Sequence, residues 1–341
     1  MPRITVREAR ESDLSVVSGL LCARHALDAA RLPHLEPEWS NGAGCRSLLE
    51  PLVSNPRADG VIAELEGRPV GFLYGERMML PPGDFASQYI PPHSISIPIE
   101  GHAVDGALPL DVYRALYAEL AGRWVAEGFF VQRVAIPAGD PELQDVWVTL
   151  GFGRCLTAAT RSSAPPVTLA QPRNLTVERA SPEDIEEVMR LADDLNEWHW
   201  RSPIFWPILQ VAQPAAREFN IGALRSADIP YFVAYENGQP VGMQTFLRPG
   251  FTPPIVNRDT DVYLFEGVVA NEARGGGIGG TLLRHSMDWA ARNGYESCTL
   301  HFAPSNPTGA PFWLGHEFVP VEHTMERTID SRIAWARPPG V

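Results

Sequence analysis

From residue 262 to 294 the chain reads VYLFEGVVANEARGGGIGGTLLRHSMDWAARNG. The apolar run at its start has the character of a buried strand. From Ile278 onward apolar residues recur at helical spacing, and Asn293-Gly294 supplies a helix stop. Between the two lie Arg274 and five glycines in six positions, Gly275, Gly276, Gly277, Gly279 and Gly280. Glycines at a helix entrance allow close backbone approach and positive φ. Several free N–H groups then point one way at the positive end of the helix dipole, which makes an anion site suited to a phosphate.

Gly275, Gly277 and Gly280 satisfy GxGxxG. A dinucleotide-binding motif, however, follows its strand at once near a domain's start, with an acid about 20 residues on. Here several residues intervene and a hairpin precedes the unit, so that reading is set aside. A flexible turn with no ligand is the other alternative.

The surrounding sequence is duplicated. ITVREARESDL at residues 4–14 answers LTVERASPEDI at 175–185, and VIAELEGRPVGFLYG answers FVAYENGQPVGMQTF. VWVTLGFG at 146–153 answers FWLGHEFV at 312–319. Three matches in one order at nearly constant offset indicate an internal repeat. The second copy reads strand, helix, helix, hairpin, strand, Gly-rich turn, helix, strand, helix, strand. This order predicts an α/β (α+β) fold: two tandem domains, each a mixed, mostly antiparallel twisted sheet flanked by helices. The division follows as a first domain over 1–161, a Ser/Pro-rich linker at 162–173, a second domain over 174–330 and a tail at 331–341.

Composition narrows the chemistry. All 28 basic residues are arginine and none is lysine, which removes P-loop, protein-kinase and pyridoxal chemistry. With 41 acidic residues the net charge is −13, which opposes a sequence-independent grip on nucleic acid. Cys22, Cys45, Cys155 and Cys298 have no metal-site spacing, so no metal is expected. The charged N-terminal strand is no signal peptide and no window is apolar enough to span a membrane, so a cytoplasmic protein with no membrane partner is expected.

The stretch VVANEARGGGIGGTLL resembles the signature of the GNAT N-acetyltransferase superfamily, an Arg/Gln-x-x-Gly-x-Gly/Ala turn after a strand, here Arg274, Gly277 and Gly279. NPTGAPFWLGHEF, residues 306–318, is similar to that family's Asn…aromatic-aromatic…Gly-Phe segment. The resemblance implies acetyl-CoA as acyl donor. Its pyrophosphate would lie on the N–H groups of Gly275 to Gly280, Ile278 included. The pantetheine arm would pair with the backbone of Gly267, Val268 and Val269, with Asn306 as a side-chain partner. A strand N–H near Val269 would hold the thioester oxygen as charge builds on it.

Two side chains are candidate bases for the amine's proton, Glu266 and His301 on the next strand; each has a structural alternative, as a strand acid and a core histidine. Where the family usually carries an acidic tyrosine, this sequence has Trp313, so the acid falls to water or to a group such as Ser305. In the first copy, Leu108-Pro109-Leu110-Asp111 stands where the phosphate turn belongs, so that copy is expected to be a degenerate GNAT-like domain. The tandem layout resembles that of mycothiol synthase.

The family's acceptor pocket is usually shaped by the first two helices. Here LADDLNEWHWRSPIFWPIL, residues 191–209, offers Trp198, Trp200 and Asp194 for a bulky or cationic amine. Packing against the first copy is the competing reading of those tryptophans. The expected function is transfer of an acetyl group to a small-molecule or peptide amine by direct attack in a ternary complex, with a non-catalytic acyl-CoA-binding regulator as the alternative. Whether two chains pair as a homodimer is open.

Overall fold

The computed structural model describes residues 3–35, 39, 41–106, 108–164, 174–228, 230–247 and 253–336. Most of the expected linker, from 165 on, and the tail from 337 lie outside the described residues. The chain forms two compact units. One is built from residues 1–80, 90–157 and 321–341, the other from 81–89 and 158–320. These units are not the contiguous copies of the sequence, because each takes in a segment from the opposite half.

In the second unit β8 (Leu175–Arg179), β9 (Tyr231–Glu236), β10 (Gln239–Leu247) and β11 (Asp261–Val269) form an antiparallel series, and β12 (Ser297–Phe302) joins β11 in parallel. The β9–β10 hairpin turns on Asn237 and Gly238, both at positive φ, the geometry a tight right-twisted hairpin requires. A parallel neighbour needs a crossover, and α7 (Ile278–Arg292) supplies it. Ile278, Leu282, Leu283, Met287 and Ala290 of α7 are buried on one stripe against Phe246, Leu264 and Cys298. On the opposite face α5 (Ile185–Trp200) and α6 (Gln213–Leu224) cover Val233, Met243 and Val268. The elements anticipated in the second copy are all present, in the order expected.

The first unit repeats the plan with β1 (Ile4–Glu8), β2 (Ala58–Leu65), β3 (Arg68–Met79), β4 (His93–Ile97), β5 (His102–Val104) and β6 (Val131–Pro137). Helices α1 (Leu14–Arg31), α2 (Gly42–Val53), α3 (Pro109–Ala126) and α4 (Pro141–Thr149) accompany them. Its last ladder is made with β13 (Val319–Thr328), the final strand of the second copy, antiparallel to β6 from Glu322↔Pro137 to Thr328↔Val131. Strand edges accept any chain of matching register, and here sequence proximity does not decide which copy supplies it.

Candidate active site

The second unit opens at the C-terminal end of β11. β11 and β12 pair from Asp261↔Ser297 to Leu264↔Leu300, and no pairing between them continues beyond. β11 is bulged at Phe265, where its register with β10 slips between Thr245↔Glu266 and Phe246↔Leu264. Ala270 N–H bonds to Val241 O on β10. By strand alternation, the N–H groups of Gly267 and Val269 therefore face the side from which β12 has parted. A Cβ at Gly267 would lie 3.1 Å from the indole of Trp313, tighter than an ordinary contact, so the strand and the indole are closely packed here.

The strand leads through a single turn, Asn271–Ala273, into the glycine run. Gly275 and Gly277 take φ of +82° and +81°, and Gly277 is the N-cap of α7. Around Gly275 an added Cβ would meet nothing within 4 Å, so the turn is an open cradle of N–H groups at the helix's positive end. Arg274 holds the turn to the strand: its Nε donates to Val269 O at 3.0 Å, and its guanidinium lies 4.0 Å from the Trp198 ring centre. Trp198 Nε1 in turn donates to Asn306 Oδ1 at 3.2 Å. That same oxygen accepts from Thr308 N and Gly309 N at the start of α8 (Gly309–Gly315), which fixes the Asn306 side chain and leaves its amide nitrogen as the available donor. Gln244 Oε1, on the strand beside Gly267, is buried with no hydrogen-bond partner. An open cradle, an unpaired strand edge, an Asn donor and an orphaned buried acceptor fit the phosphates and amides of an acyl-CoA.

Glu266 points to the face covered by α5 and α6. It stands opposite Thr245, which stands opposite Tyr231, so the three lie across adjacent strands. Burial pushes the Glu266 carboxyl up to about 7, and its Oε2 has no hydrogen-bond partner. Thr245 Oγ1 is likewise buried without a hydrogen bond. Tyr231 donates to Asn220 Oδ1 at 2.6 Å. His301 Nδ1 lies 2.9 Å from the Tyr263 hydroxyl, and burial lowers the imidazole to about 4. At pH 7 Glu266 is thus poised between its two protonation states, whereas His301 is neutral and holds a proton too weakly to take one from an ammonium.

The three acceptor residues named from the sequence go to three places. Trp198 lies under Arg274, and Asp194 pairs with Arg190 at 3.3 Å. Trp200, 68 % exposed, lines an outward cleft of about 1190 Å³ between α5 and residues 208–217, with Met189, Asp193 and Gln213. That cleft contains neither Glu266 nor the glycine turn. Sequence reasoning missed Pro81–Tyr89, which belongs to the second unit although it comes from the first copy. Tyr89 lies against Phe265, and nothing local to residues 81–89 announced that placement.

The corresponding place in the first unit is filled. Leu73 pairs with His102 as its counterpart in the repeat, Gln244, pairs with Gly267, so His102 stands where the second unit has Gly267. Its imidazole reaches across to Ala135 O on β6 at 2.9 Å and to Tyr113 Oη at 2.9 Å, with Trp147 packed on both rings. All three side chains are buried. Burial lowers His102 to about 3, so it stays neutral. The carbonyl of His102 is taken by Arg24, which is itself paired with Asp28 at 3.2 Å.

Nearby Glu322 is 6 % exposed, and burial with help from Glu100 raises its carboxyl to about 8. An acid raised from its ordinary range costs the fold nothing below about pH 4.5, then progressively more as pH climbs through 8. Glu322→Gln is therefore expected to melt several degrees above the parent at pH 8.5 and alongside it at pH 4.5, as read by thermal unfolding across pH.

Among the described residues no group of three or more His, Cys, Asp or Glu could hold a metal, and no helix is long and apolar enough to cross a membrane.

Residues 192–316 match the Acetyltransferase (GNAT) family. The fold is shared with a GCN5-related N-acetyltransferase from Sphaerobacter thermophilus, 13 % identical, at a TM-score of 0.58 over 95 % of both chains. It is shared with a tandem GNAT protein from the clavulanic acid biosynthesis pathway, 15 % identical, at a TM-score of 0.52 over 96 % of this chain and 99 % of that one. A glucosamine N-acetyltransferase region of a fungal multi-domain GH3 β-N-acetylglucosaminidase, 11 % identical, gives 0.54 over 96 % of this chain and 38 % of that one. No protein of curated function matches the sequence. The matched stretch contains the glycine turn and the strand that leads to it. The family match is confined to residues 192–316, and along its length the chain shares the fold of a GCN5-related N-acetyltransferase and of a tandem GNAT protein.

Proposed function

We propose that the second copy, residues 174–330, is an acyl-CoA-dependent N-acetyltransferase that passes an acetyl group from acetyl-CoA to a primary amine by direct attack in a ternary complex. The observation that carries this is the juxtaposition on β11 of an unpaired strand edge at Gly267 and Val269, the glycine cradle that follows, and the buried carboxyl of Glu266, whose proton affinity burial raises. When bound, the acyl-CoA supplies a thioester carbonyl open to a nucleophile. The N–H groups of Gly275 to Gly280 would hold its pyrophosphate, and the edge of β11 with Asn306 its amide-bearing arm.

The chain's own residues do the rest. Glu266 accepts the ammonium's proton, since its proton affinity is matched to the working pH. The Val269 N–H is aimed toward the opened side, where negative charge would build on the thioester oxygen. Tyr263 holds the His301 imidazole and Tyr231 holds the Asn220 side chain. Trp313 packs over Gly267 and, as an indole, does not release a proton at neutral pH, so that position serves packing and not acid catalysis. The first unit, with His102, Tyr113 and Trp147 in the equivalent opening, is the non-binding partner, and the reaction is assigned to the cytoplasm.

Calorimetric titration with acetyl-CoA is expected to give one site per chain. Two equivalent sites would overturn the assignment of the first unit, and no binding would overturn the acetyltransferase reading. Tight binding with no acetyl transfer across a broad amine panel would instead select a non-catalytic acyl-CoA-binding regulator.

A further inference from the structure

Pro81–Tyr89 is fixed on the second unit by specific contacts. Gln88 O accepts from Trp206 Nε1 at 2.7 Å, and the Gln88 side chain accepts from Gln213 Nε2 at 3.3 Å. Asp84 caps the short turn that carries Phe85 by accepting from Ala86 N at 2.8 Å. Phe85 stacks on Phe219 of α6 with ring centres 4.4 Å apart. Phe265, the bulge residue next to Glu266, sits 6.0 Å from Phe85, 5.6 Å from Tyr89 and 5.7 Å from Phe219. None of these four residues is fully buried, and Tyr89 is 37 % exposed as a whole residue, although its hydroxyl is buried, which pushes the phenol well above its ordinary value. The four rings form one contiguous aromatic cluster, and its members keep part of their surface open to solvent. The surface begins one residue from the carboxyl that would receive the amine's proton.

We infer that Phe85 and Tyr89, supplied by the first copy, form the aromatic wall of the acceptor pocket and select a primary amine carried on an aromatic or flat apolar body. The inference rests on the acetyltransferase reading of the second unit. An amine brought to Glu266 lays the rest of its carbon skeleton over Phe265 and against Tyr89. Flat rings then gain offset or edge contacts, and the incoming ammonium gains cation–π attraction before it loses its proton. An amine on a short polar chain gains neither.

The test uses the full chain saturated with CoA, titrated with phenethylamine and with ethylamine as probes, followed by tryptophan fluorescence and calorimetry. Phenethylamine is expected to bind about tenfold tighter than ethylamine. Tyr89→Ala removes most of that preference, Tyr89→Phe keeps it, and all three proteins bind acetyl-CoA equally. Equal affinity for the two amines, no binding of either, or a preference that survives Tyr89→Ala overturns the inference. Loss of acetyl-CoA binding by the unaltered chain is read separately and overturns the parent reading instead.

Discussion

Glu266→Gln is expected to lower kcat by two to three orders of magnitude while leaving acetyl-CoA affinity unchanged. Glutamine keeps the shape and cannot accept a proton, so the substitution removes general-base assistance, worth about 10²–10⁴-fold. Burial shifts the carboxyl's proton affinity up to about 7. The sign of the pH effect follows. Below pH 7 Glu266 is protonated and cannot serve, so kcat/KM rises with pH and levels above about 7. In the Gln variant that inflection disappears. Initial rates of thiol release from pH 5.5 to 9 check both claims. A full-rate Gln variant with an unchanged profile would remove Glu266 from the chemistry and leave it a strand acid.

Gly277→Glu is expected to weaken acetyl-CoA binding at least a hundredfold. Gly277 is at φ +81° at the entrance to α7, a conformation that costs a side-chain-bearing residue about 1–2 kcal/mol. A carboxylate there also opposes the phosphates that the free N–H groups and the helix's positive end attract. Its carbonyl accepts from Thr281 N, so the first turn of α7 stays anchored and the chain is expected to remain folded. Calorimetry against acetyl-CoA, beside a far-ultraviolet circular dichroism spectrum, separates lost binding from lost fold. Unchanged affinity would mean that the cradle holds no pyrophosphate.

Much of this molecule is local, and the local part was legible. Residues 262–294 contain the strand, the turn and the helix, and the chemistry of each lies within a few positions: glycine where φ is positive, apolar residues at every third or fourth place along α7. The Asn237-Gly238 and Glu66-Gly67 hairpins are of the same kind. Glu266 could be named from its place before the glycines, but its shift toward 7 could not, because desolvation depends on what two helices and a neighbouring strand lay over it.

Trp198 shows the limit from the other side. Its place in an aromatic run suggested a pocket wall, yet its partners are Arg274 and Asn306, 76 and 108 residues away along the chain. His102 gave no signal either. Only the register of β3 with β5 shows that it occupies the position of Gly267.

By itself, then, the sequence determined the repeat, the order of elements, the glycine turn and the absence of lysine chemistry, all of which rest on periodicity, φ preference and composition. Tertiary structure alone decided that β13 pairs with β6 in the first unit, that His102, Tyr113 and Trp147 pack together there, and that Pro81–Tyr89 belongs to the second unit. Those outcomes depend on which edges and apolar faces meet after long loops close. Loop closure costs only about 0.6 kcal/mol more for each doubling of length, so contacts more than a hundred residues apart compete on nearly equal terms with near ones, and packing chooses among them.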